Sequence, residues 1–198
     1  MMIFLVCLLL FLNTPTMSKT SMNKLQHSEQ TIRAATFVEY GVRTSIIVKE
    51  TGLSHKYVRA LAKEITGKSP ISGQLAEVTR LIKTKKSLML STLLLSIHRK
   101  LHTQSLFKPG SEGCFLEQVI QAYEHLEIQV DNLETFSINA TPQLITINEA
   151  WVLLRSYLNY EIQLSVCTCG CLKLHVIGQK KQACPFCFYL QQSSKSYH

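Results

Sequence analysis

Five cysteines crowded near the C-terminal end carry the side chains best suited to chemistry in this chain. Cys184 and Cys187 are two residues apart, a spacing that lets one tight turn aim both sulfurs at a single Zn²⁺. The other cysteines precede this pair by about the length of a strand hairpin. The sequence therefore predicts one Zn²⁺ ion held by four thiolates, which is a closed and structural site rather than a catalytic one. The five cysteines are Cys167, Cys169, Cys171, Cys184 and Cys187.

The upstream cysteines leave the ligand choice open. Their sequence, CTCGC, contains no two-residue spacing. Three residues separate Cys167 from Cys171, which is inside the usual range for two cysteine ligands of one zinc ion. One residue separates Cys167 from Cys169, which would force the two ligands into a tighter chelate ring. Gly170 is able to relax either turn. Cys167 is therefore paired with either Cys169 or Cys171.

Cysteine usage and the N-terminal residues bear on the compartment. Seven cysteines, five of them clustered, fit a metal ligand set better than a disulfide framework, so we expect a cytoplasmic protein. The apolar run Ile3–Leu12 is too short to cross a membrane and has no basic segment before it or cleavage site after it. Residues 1–22 are interpreted as a misassigned start or a disordered leader, with Met17 and Met22 as alternative starts.

Positive charge is concentrated in one part of the chain. The formal net charge is +8, and the stretch Arg43–Lys86 holds ten Lys or Arg against three Glu, a balance of +7. Nearly all of the excess therefore lies within that stretch. A basic patch of this kind favours a polyanionic partner.

The same stretch contains a pattern typical of a helix-turn-helix, over residues 44–66. Gly52 is suited to the turn, Ser54 can cap the second helix, and apolar residues such as Ile47 and Leu53 supply contacts that fix two helices at a steep angle. We place Arg59 opposite guanine and Lys56 or Lys63 opposite phosphate. Any helix-Gly-helix hairpin would give a similar apolar pattern, but the clustered charge favours DNA. The predicted inner face of the second helix is Tyr57, Val58, Leu61, Ala62 and Ile65, and the predicted DNA-binding residues are Ser54, His55, Lys56, Arg59 and Lys63.

The rest of the chain is predicted to be mainly α-helical, with a small β zinc ribbon after the helical DNA-binding domain. The domain boundaries are 23–160 for the helical domain, 161–190 for the zinc ribbon and 191–198 for a flexible tail. Helical periodicity starts near His27, and alternation predicts two short strands over Ile162–Val166 and Leu172–Val176. Further helices are predicted at Leu75–Lys83, Leu88–His102, Glu112–Glu127 and Ile147–Asn159.

The chain shows no catalytic pattern. Its histidines have no partner at metal or catalytic spacing, and it contains neither a glycine-rich phosphate loop nor a nucleophile elbow. We therefore predict that it is not an enzyme.

The residues resemble the FlhC family, whose members are flagellar master-regulator subunits. The matching segments are Leu53-Ser54-x-x-x-Val58-x-x-Leu61-x-Lys63-Glu64-Ile65-x-Gly67-x-x-Pro70-x-x-Gly73-x-Leu75, Ala150-Trp151-x-Leu153-Leu154-Arg155, Gln163-Leu164-Ser165-x-Cys167 and Cys184-x-x-Cys187. This resemblance implies a DNA-binding transcriptional activator that binds double-stranded promoter DNA, works with RNA polymerase and forms a hetero-oligomer with a small helical FlhD-type subunit, away from any membrane. Related activators on conjugative elements share the family, so flagellar genes need not be the targets.

The resemblance also implies four zinc-liganding cysteines. Cys167, Cys184 and Cys187 match family ligands by position, whereas the family's first pair is C-x-x-C and this chain departs from it. Geometry favours Cys171 as the fourth ligand, while alignment of the Cys-Gly dipeptide with the family favours Cys169. The predicted set is Cys167, Cys171, Cys184 and Cys187, with Cys169 as the alternative to Cys171. The alternative function is a zinc-ribbon adaptor that binds protein or RNA without reading DNA sequence.

Overall fold

The computed structural model describes residues 23–70, 73–104, 114–134, 145–180 and 183–187. The described chain is mainly helical with one small antiparallel sheet, which confirms the predicted mainly-α class and the two strands. The predicted leader, the tail and the start of the helix at Glu112 lie outside the described residues. The elements are α1 (Lys24–Glu39), α2 (Thr44–Thr51), α3 (His55–Thr66), α4 (Val78–Leu81), α5 (Lys85–Thr103), α6 (Phe115–Glu134), α7 (Ile147–Leu158), β1 (Ile162–Val166) and β2 (Leu172–Val176).

The turn between α2 and α3 follows from local residue chemistry. Gly52 adopts a left-handed conformation with φ of 72°, and its N–H donates to the Val48 carbonyl. This geometry favours glycine because it has no Cβ to clash. Ser54 then begins the next helix, since its Oγ accepts a hydrogen bond from the Tyr57 N–H at 3.2 Å. Both roles were predicted from the sequence and are confirmed.

One predicted helix is wrong in extent. Instead of Leu75–Lys83, only Val78–Leu81 is helical. The helix starts after Glu77, which offers no side-chain cap, and it stops at Ile82 with φ of −110° and ψ of 16°. Immediately afterwards Thr84 forms a capping box with Ser87 and starts α5, so a new helix begins where the old one was expected to continue.

The predicted inner face of α3 is correct only in part. Val58 and Ala62 are buried, whereas Tyr57 and Ile65 are 37% and 38% exposed. Tyr57 lies at the edge of α3 next to α1, where its hydroxyl hydrogen-bonds to Thr31 Oγ1 at 3.2 Å. A tyrosine suits this half-covered edge because its ring packs while its hydroxyl stays hydrogen-bonded.

The core is built around α5, which the sequence predicts as a helix over Leu88–His102. This helix packs against α6, α7 and both strands, and Leu94 and Leu95 are fully buried. The strands pair in antiparallel register from Ile162 opposite Val176 to Val166 opposite Leu172. Ile162 and Leu174 join the same buried cluster as the helices. Among the described residues, no helix has the length and apolar character needed to span a bilayer.

Candidate metal centre and candidate nucleic-acid interface

Four cysteine sulfurs converge beside the end of the β1–β2 hairpin, and we call Cys167, Cys169, Cys184 and Cys187 the cysteine cluster. Their Sγ atoms all lie within 4.8 Å of one another. The Cys167 and Cys187 sulfurs are 3.6 Å apart, and those of Cys169 and Cys184 are 3.8 Å apart. A disulfide would bring two sulfurs to about 2.0 Å. A tetrahedral ion with metal–sulfur bonds of about 2.3 Å sets sulfurs about 3.8 Å apart, so the cluster has the dimensions of a metal site.

The structure places Cys169, and not the predicted Cys171, in the cysteine cluster. The turn between the strands explains this placement. Gly170 takes φ of +83°, and its N–H donates to the Cys167 carbonyl at 2.9 Å. This tight turn folds Cys169 back towards Cys167 in spite of the single residue between them. The Cys171 carbonyl accepts from the Cys167 N–H at 2.8 Å, so Cys171 continues the strand pairing instead.

Backbone donors prepare part of the cluster for a cation. The Cys169 N–H and then the Thr168 hydroxyl lower the pKa of Cys167 to about 6, and the Cys171 N–H lowers the pKa of Cys169. Hydrogen bonds from the Cys187 thiol to the sulfurs of Cys169 and Cys167 stabilise its protonated form and raise the pKa of Cys187 to about 12. Hydrogen bonds to sulfur favour thiolate, whereas neighbouring negative charges oppose it. The four sulfurs lie close enough together to hold a metal ion, and an all-sulfur donor set suits a soft one.

The predicted DNA-binding residues divide into two groups on the surface. All five are exposed. His55, Arg59 and Lys63 line a cleft of about 610 Å³ between α3, the start of α2 and the chain after α3. Lys56 lies outside the lining of that cleft, and the Ser54 side chain is used as the cap of α3.

Helix α7 anchors the start of α2 through one asparagine. The Asn148 Oδ1 accepts from the Arg43 N–H at 2.8 Å, and its Nδ2 donates to the Gly41 carbonyl at 3.1 Å. Both bonds connect residues more than a hundred positions apart. They hold the short connection between α1 and α2 against the N-terminal turn of α7.

A buried tryptophan on α7 anchors the other end of α2. Trp151 is 5% exposed, and its Nε1 donates to Glu50 Oε1 at 3.1 Å. The Lys49 ammonium lies 5.5 Å from the ring centroid and the Arg155 guanidinium lies 4.9 Å from it. Contacts of this kind favour a cation over the ring face. Because α2 is held at both ends, α3 and its exposed residues have a fixed platform.

Comparison with known proteins decides the family. The model of the family described as flagellar transcriptional activator (FlhC) matches residues 17–196. The chain belongs to the FlhC family. This is a family of transcriptional regulators and not of enzymes, which confirms the prediction that the chain is not an enzyme.

Individual members of the FlhC family are related to the chain at moderate identity. A flagellar transcriptional regulator FlhC from Paraburkholderia atlantica is 30% identical over 143 residues, which cover 69% of this chain and 58% of the relative. One from Verminephrobacter eiseniae (strain EF01-2) is 32% identical, covering 66% of this chain and 65% of the relative. A third, from Thauera aminoaromatica, is 26% identical and covers 74% and 69%. The chain thus spans less than two thirds of the length of the first two.

Sequence reasoning missed the residues that organise the site from a distance. Glu50 and Asn148 look like ordinary polar residues of amphipathic helices, because their partners are remote in sequence. Trp151 lies in a predicted helix and in a segment that resembles the FlhC family, but neither pattern indicates its contact with Glu50. The Cys-Gly dipeptide was the available signal for Cys169, and it pointed to the residue that the structure places in the cluster.

Proposed function

We propose that this chain is a cytoplasmic, DNA-binding subunit of a transcriptional activator. The observation that carries the proposal is the exposed face of α3 in an FlhC-family chain, where His55, Lys56, Arg59 and Lys63 follow one another on a helix whose other side is buried. Val58 and Ala62 supply that buried side. Basic side chains on a rigid helix suit the phosphates and base edges of a major groove.

In this proposal α2, the Gly52 turn and α3 form a helix-turn-helix with α3 as the recognition helix. The short turn and the buried contacts of Ile47, Leu53 and Val58 support this assignment. The net positive charge of the surrounding stretch would attract DNA over a distance and make the affinity fall steeply with salt, because bound cationic side chains release counterions.

The cysteine cluster is proposed to hold one structural Zn²⁺. All four ligands would be thiolates, so the ion would have no open position for substrate or water. It would tie the turn between β1 and β2 to the segment of Cys184 and Cys187, and residues 161–190 would form a zinc ribbon following the helical domain of residues 23–160. The distances between the cluster sulfurs support this proposal.

The proposed partners are promoter DNA, RNA polymerase and a small helical FlhD-like subunit. Membership of a transcriptional activator family supports the first two, and the FlhD-like subunit is carried over from the resemblance. The target genes are proposed to be flagellar or to belong to a conjugative element.

A gel-shift experiment tests the proposal. The full chain, alone and co-purified with an FlhD-like subunit encoded near its gene, would be titrated onto promoter fragments and onto scrambled duplexes of equal length. We expect tighter binding to at least one promoter, strongest with the partner. Weak and sequence-blind binding under both conditions would contradict the proposal and favour the adaptor that binds protein or RNA.

A further inference from the structure

The cleft beside α3 is shaped and charged for an anion. It has a volume of about 610 Å³ and is lined by Arg43, His55, Arg59 and Lys63. No acidic side chain of the described residues belongs to its lining. Ala60 also belongs to the lining. A concave surface with several cationic side chains and no counter-charge binds an anion better than a flat basic face does.

The first turn of α2 adds backbone donors to the cleft. Thr44 and Ser45 of this turn belong to the lining of the cleft. The N-cap residue Arg43 provides no side-chain cap, and no acidic residue occupies that turn. In the described part of the chain, the N–H groups of Thr44 and Ser45 have no acceptor. Free N–H groups at a helix N-terminus carry partial positive charge and attract phosphate groups.

The cationic side chains of α3 are available and aligned. His55, Arg59 and Lys63 are spaced by four residues each, so they lie on one side of the helix. Arg59 and Lys63 are exposed, and neither forms an ion pair with a described residue. Their charge is therefore free to act on a ligand. Lys56 projects from a different part of the helix and does not line the cleft.

The outer wall of the cleft is held in place. Arg43 Nη1 donates to the carbonyls of Gly73 and Gln74 at 2.9 and 3.0 Å. The backbone N–H of Arg43 is bound by Asn148 on α7. The cleft is therefore organised before any ligand arrives, which reduces the entropy lost on binding.

We propose that this cleft binds a phosphodiester group of the duplex backbone, with Arg59 and Lys63 as the cationic contacts and the first turn of α2 as the backbone donor. The inference rests on DNA binding as the proposed function. The sequence alone suggested that Arg59 contacts guanine. In this inference Arg59 instead contacts a backbone phosphate, and Lys56 is the residue that contacts base edges. Phosphate contacts fix the register of a protein on DNA but carry no sequence information.

Salt-dependent binding separates the two roles of Arg59. Fluorescence anisotropy would be measured with the promoter duplex selected by the gel shift and with its scrambled counterpart, over a series of salt concentrations. We expect Arg59→Ala to weaken binding to both duplexes about tenfold and to reduce the slope of log affinity against log salt by about 1. Lys63→Ala is expected to behave alike. Arg99→Ala, an equal charge change at an exposed site on α5, is the control and should leave both quantities unchanged.

Modified DNA identifies the phosphate that Arg59 contacts. A single neutral methylphosphonate, moved along the promoter duplex, should weaken the wild-type protein at one position and have little effect there on Arg59→Ala. If Arg59→Ala instead altered discrimination between promoter and scrambled duplex without a change in slope, the residue would be a base reader and the inference would be wrong. The proposed function would then still stand.

Two other results overturn the inference. If the wild-type protein binds neither duplex, the proposed function and the inference are both wrong. Inorganic phosphate added to the protein without DNA tests for a free phosphate compound as the ligand. A saturable, Arg59-dependent rise in melting temperature below about 1 mM phosphate, with an unchanged DNA salt slope, would assign the cleft to such a compound.

Discussion

The α2–α3 unit and the cysteine hairpin, by which we mean β1, β2 and the turn between them, are held in place by different physical means. The α2–α3 unit buries Ile46, Ile47 and Val58 almost completely. In the cysteine hairpin only Ile162 and Leu174 are buried to that degree. At the far end of the hairpin, the Cys169 sulfur lies 3.8 Å from the Cys184 sulfur. One region is held by a hydrophobic core, and at the far end of the other four cysteine sulfurs converge where a metal ion could bind.

This difference predicts how each region fails. A hydrophobic core loses stability in proportion to the side chain removed, because each contact adds a small amount. A four-ligand metal site loses its ion when one ligand is lost, because the remaining thiolates no longer close the coordination shell. Mutations should therefore have graded effects in the α2–α3 unit, whereas loss of one cysteine of the cysteine cluster should have an all-or-none effect on metal binding.

The largest effect is expected from one cysteine exchange. Cys169→Ser should reduce the zinc content from about one ion per chain to almost none, because it removes a sulfur of the cysteine cluster. Metal content would be measured by atomic emission after purification. Cys171→Ser is the matched control and should retain the metal. Equal loss in both variants, or loss with Cys171→Ser alone, would show that the cluster is not the ligand set.

Truncation of the tryptophan on α7 should produce the largest graded effect. Trp151→Ala is expected to lower the free energy of unfolding by about 3–5 kcal/mol, because it removes a buried ring and the hydrogen bond to Glu50. Urea unfolding monitored by circular dichroism measures this change. Glu50→Gln keeps an acceptor for the indole and should cost no more than about 1 kcal/mol. Zinc content should not change in either variant, and a loss of metal would erase the distinction between the two regions.

The buried histidine of α5 adds a pH-dependent contribution to the core. Burial, and then the nearby His102, lower the pKa of His98 from 6.5 to about 4. Below pH 6.5 the unfolded chain binds the proton more readily than the folded chain, so stability is lost as the pH falls from about 6.5 towards 4. At pH 5 the loss should be about 2 kcal/mol.

The histidine contribution is isolated by comparing urea unfolding of the wild type and His98→Gln at pH 7 and pH 5. The cysteine ligands are the same in both proteins, so their protonation cancels in the difference. A smaller pH dependence in His98→Gln is expected. The same pH dependence in both proteins would show that His98 is not the group responsible.

One glycine with positive φ lies in the α2–α3 unit and another lies in the cysteine hairpin, so replacing each by alanine introduces a similar backbone strain in each region. Gly52 and Gly170 have φ of 72° and 83°, and alanine at such angles costs about 1 kcal/mol. Gly52→Ala should lower the stability of the helical part by that amount without affecting zinc. Gly170→Ala should instead lower zinc affinity about fivefold, measured by competition with a chelating dye. If both variants changed only global stability, the two regions would not differ as we describe.

Local chemistry made much of the fold predictable. The ends of α2 and α3 follow from Gly52 and Ser54, and alternation placed both strands at their observed bounds. These features depend on residues within a few positions of one another. The short α4 was mispredicted because the Thr84 capping box competes for the same stretch, and apolar periodicity does not weigh caps against each other.

The candidate site was less predictable, because its details depend on turn geometry and distant partners. Spacing alone favoured Cys171, since nothing in the sequence specifies how far Gly170 turns the chain back. The cleft beside α3 also escaped prediction, because it requires Arg43 to reach Gly73 and Asn148 to hold Arg43. Residue types identified the kind of chemistry, and tertiary contacts decided which residues take part.

The two hydrogen bonds of Asn148 have a consequence for the birth of the chain on the ribosome. The loop they fasten is synthesised more than a hundred residues before Asn148 itself, the two bonds spanning 105 and 107 positions. At bacterial or eukaryotic rates of translation that interval is roughly 5–20 s. During this interval the nascent α2–α3 unit lacks the hydrogen bonds to Asn148 and the contact between Glu50 and Trp151. A chain truncated before α7 would thus contain the basic residues of α3 but lack the α7 contacts that hold α2 in place.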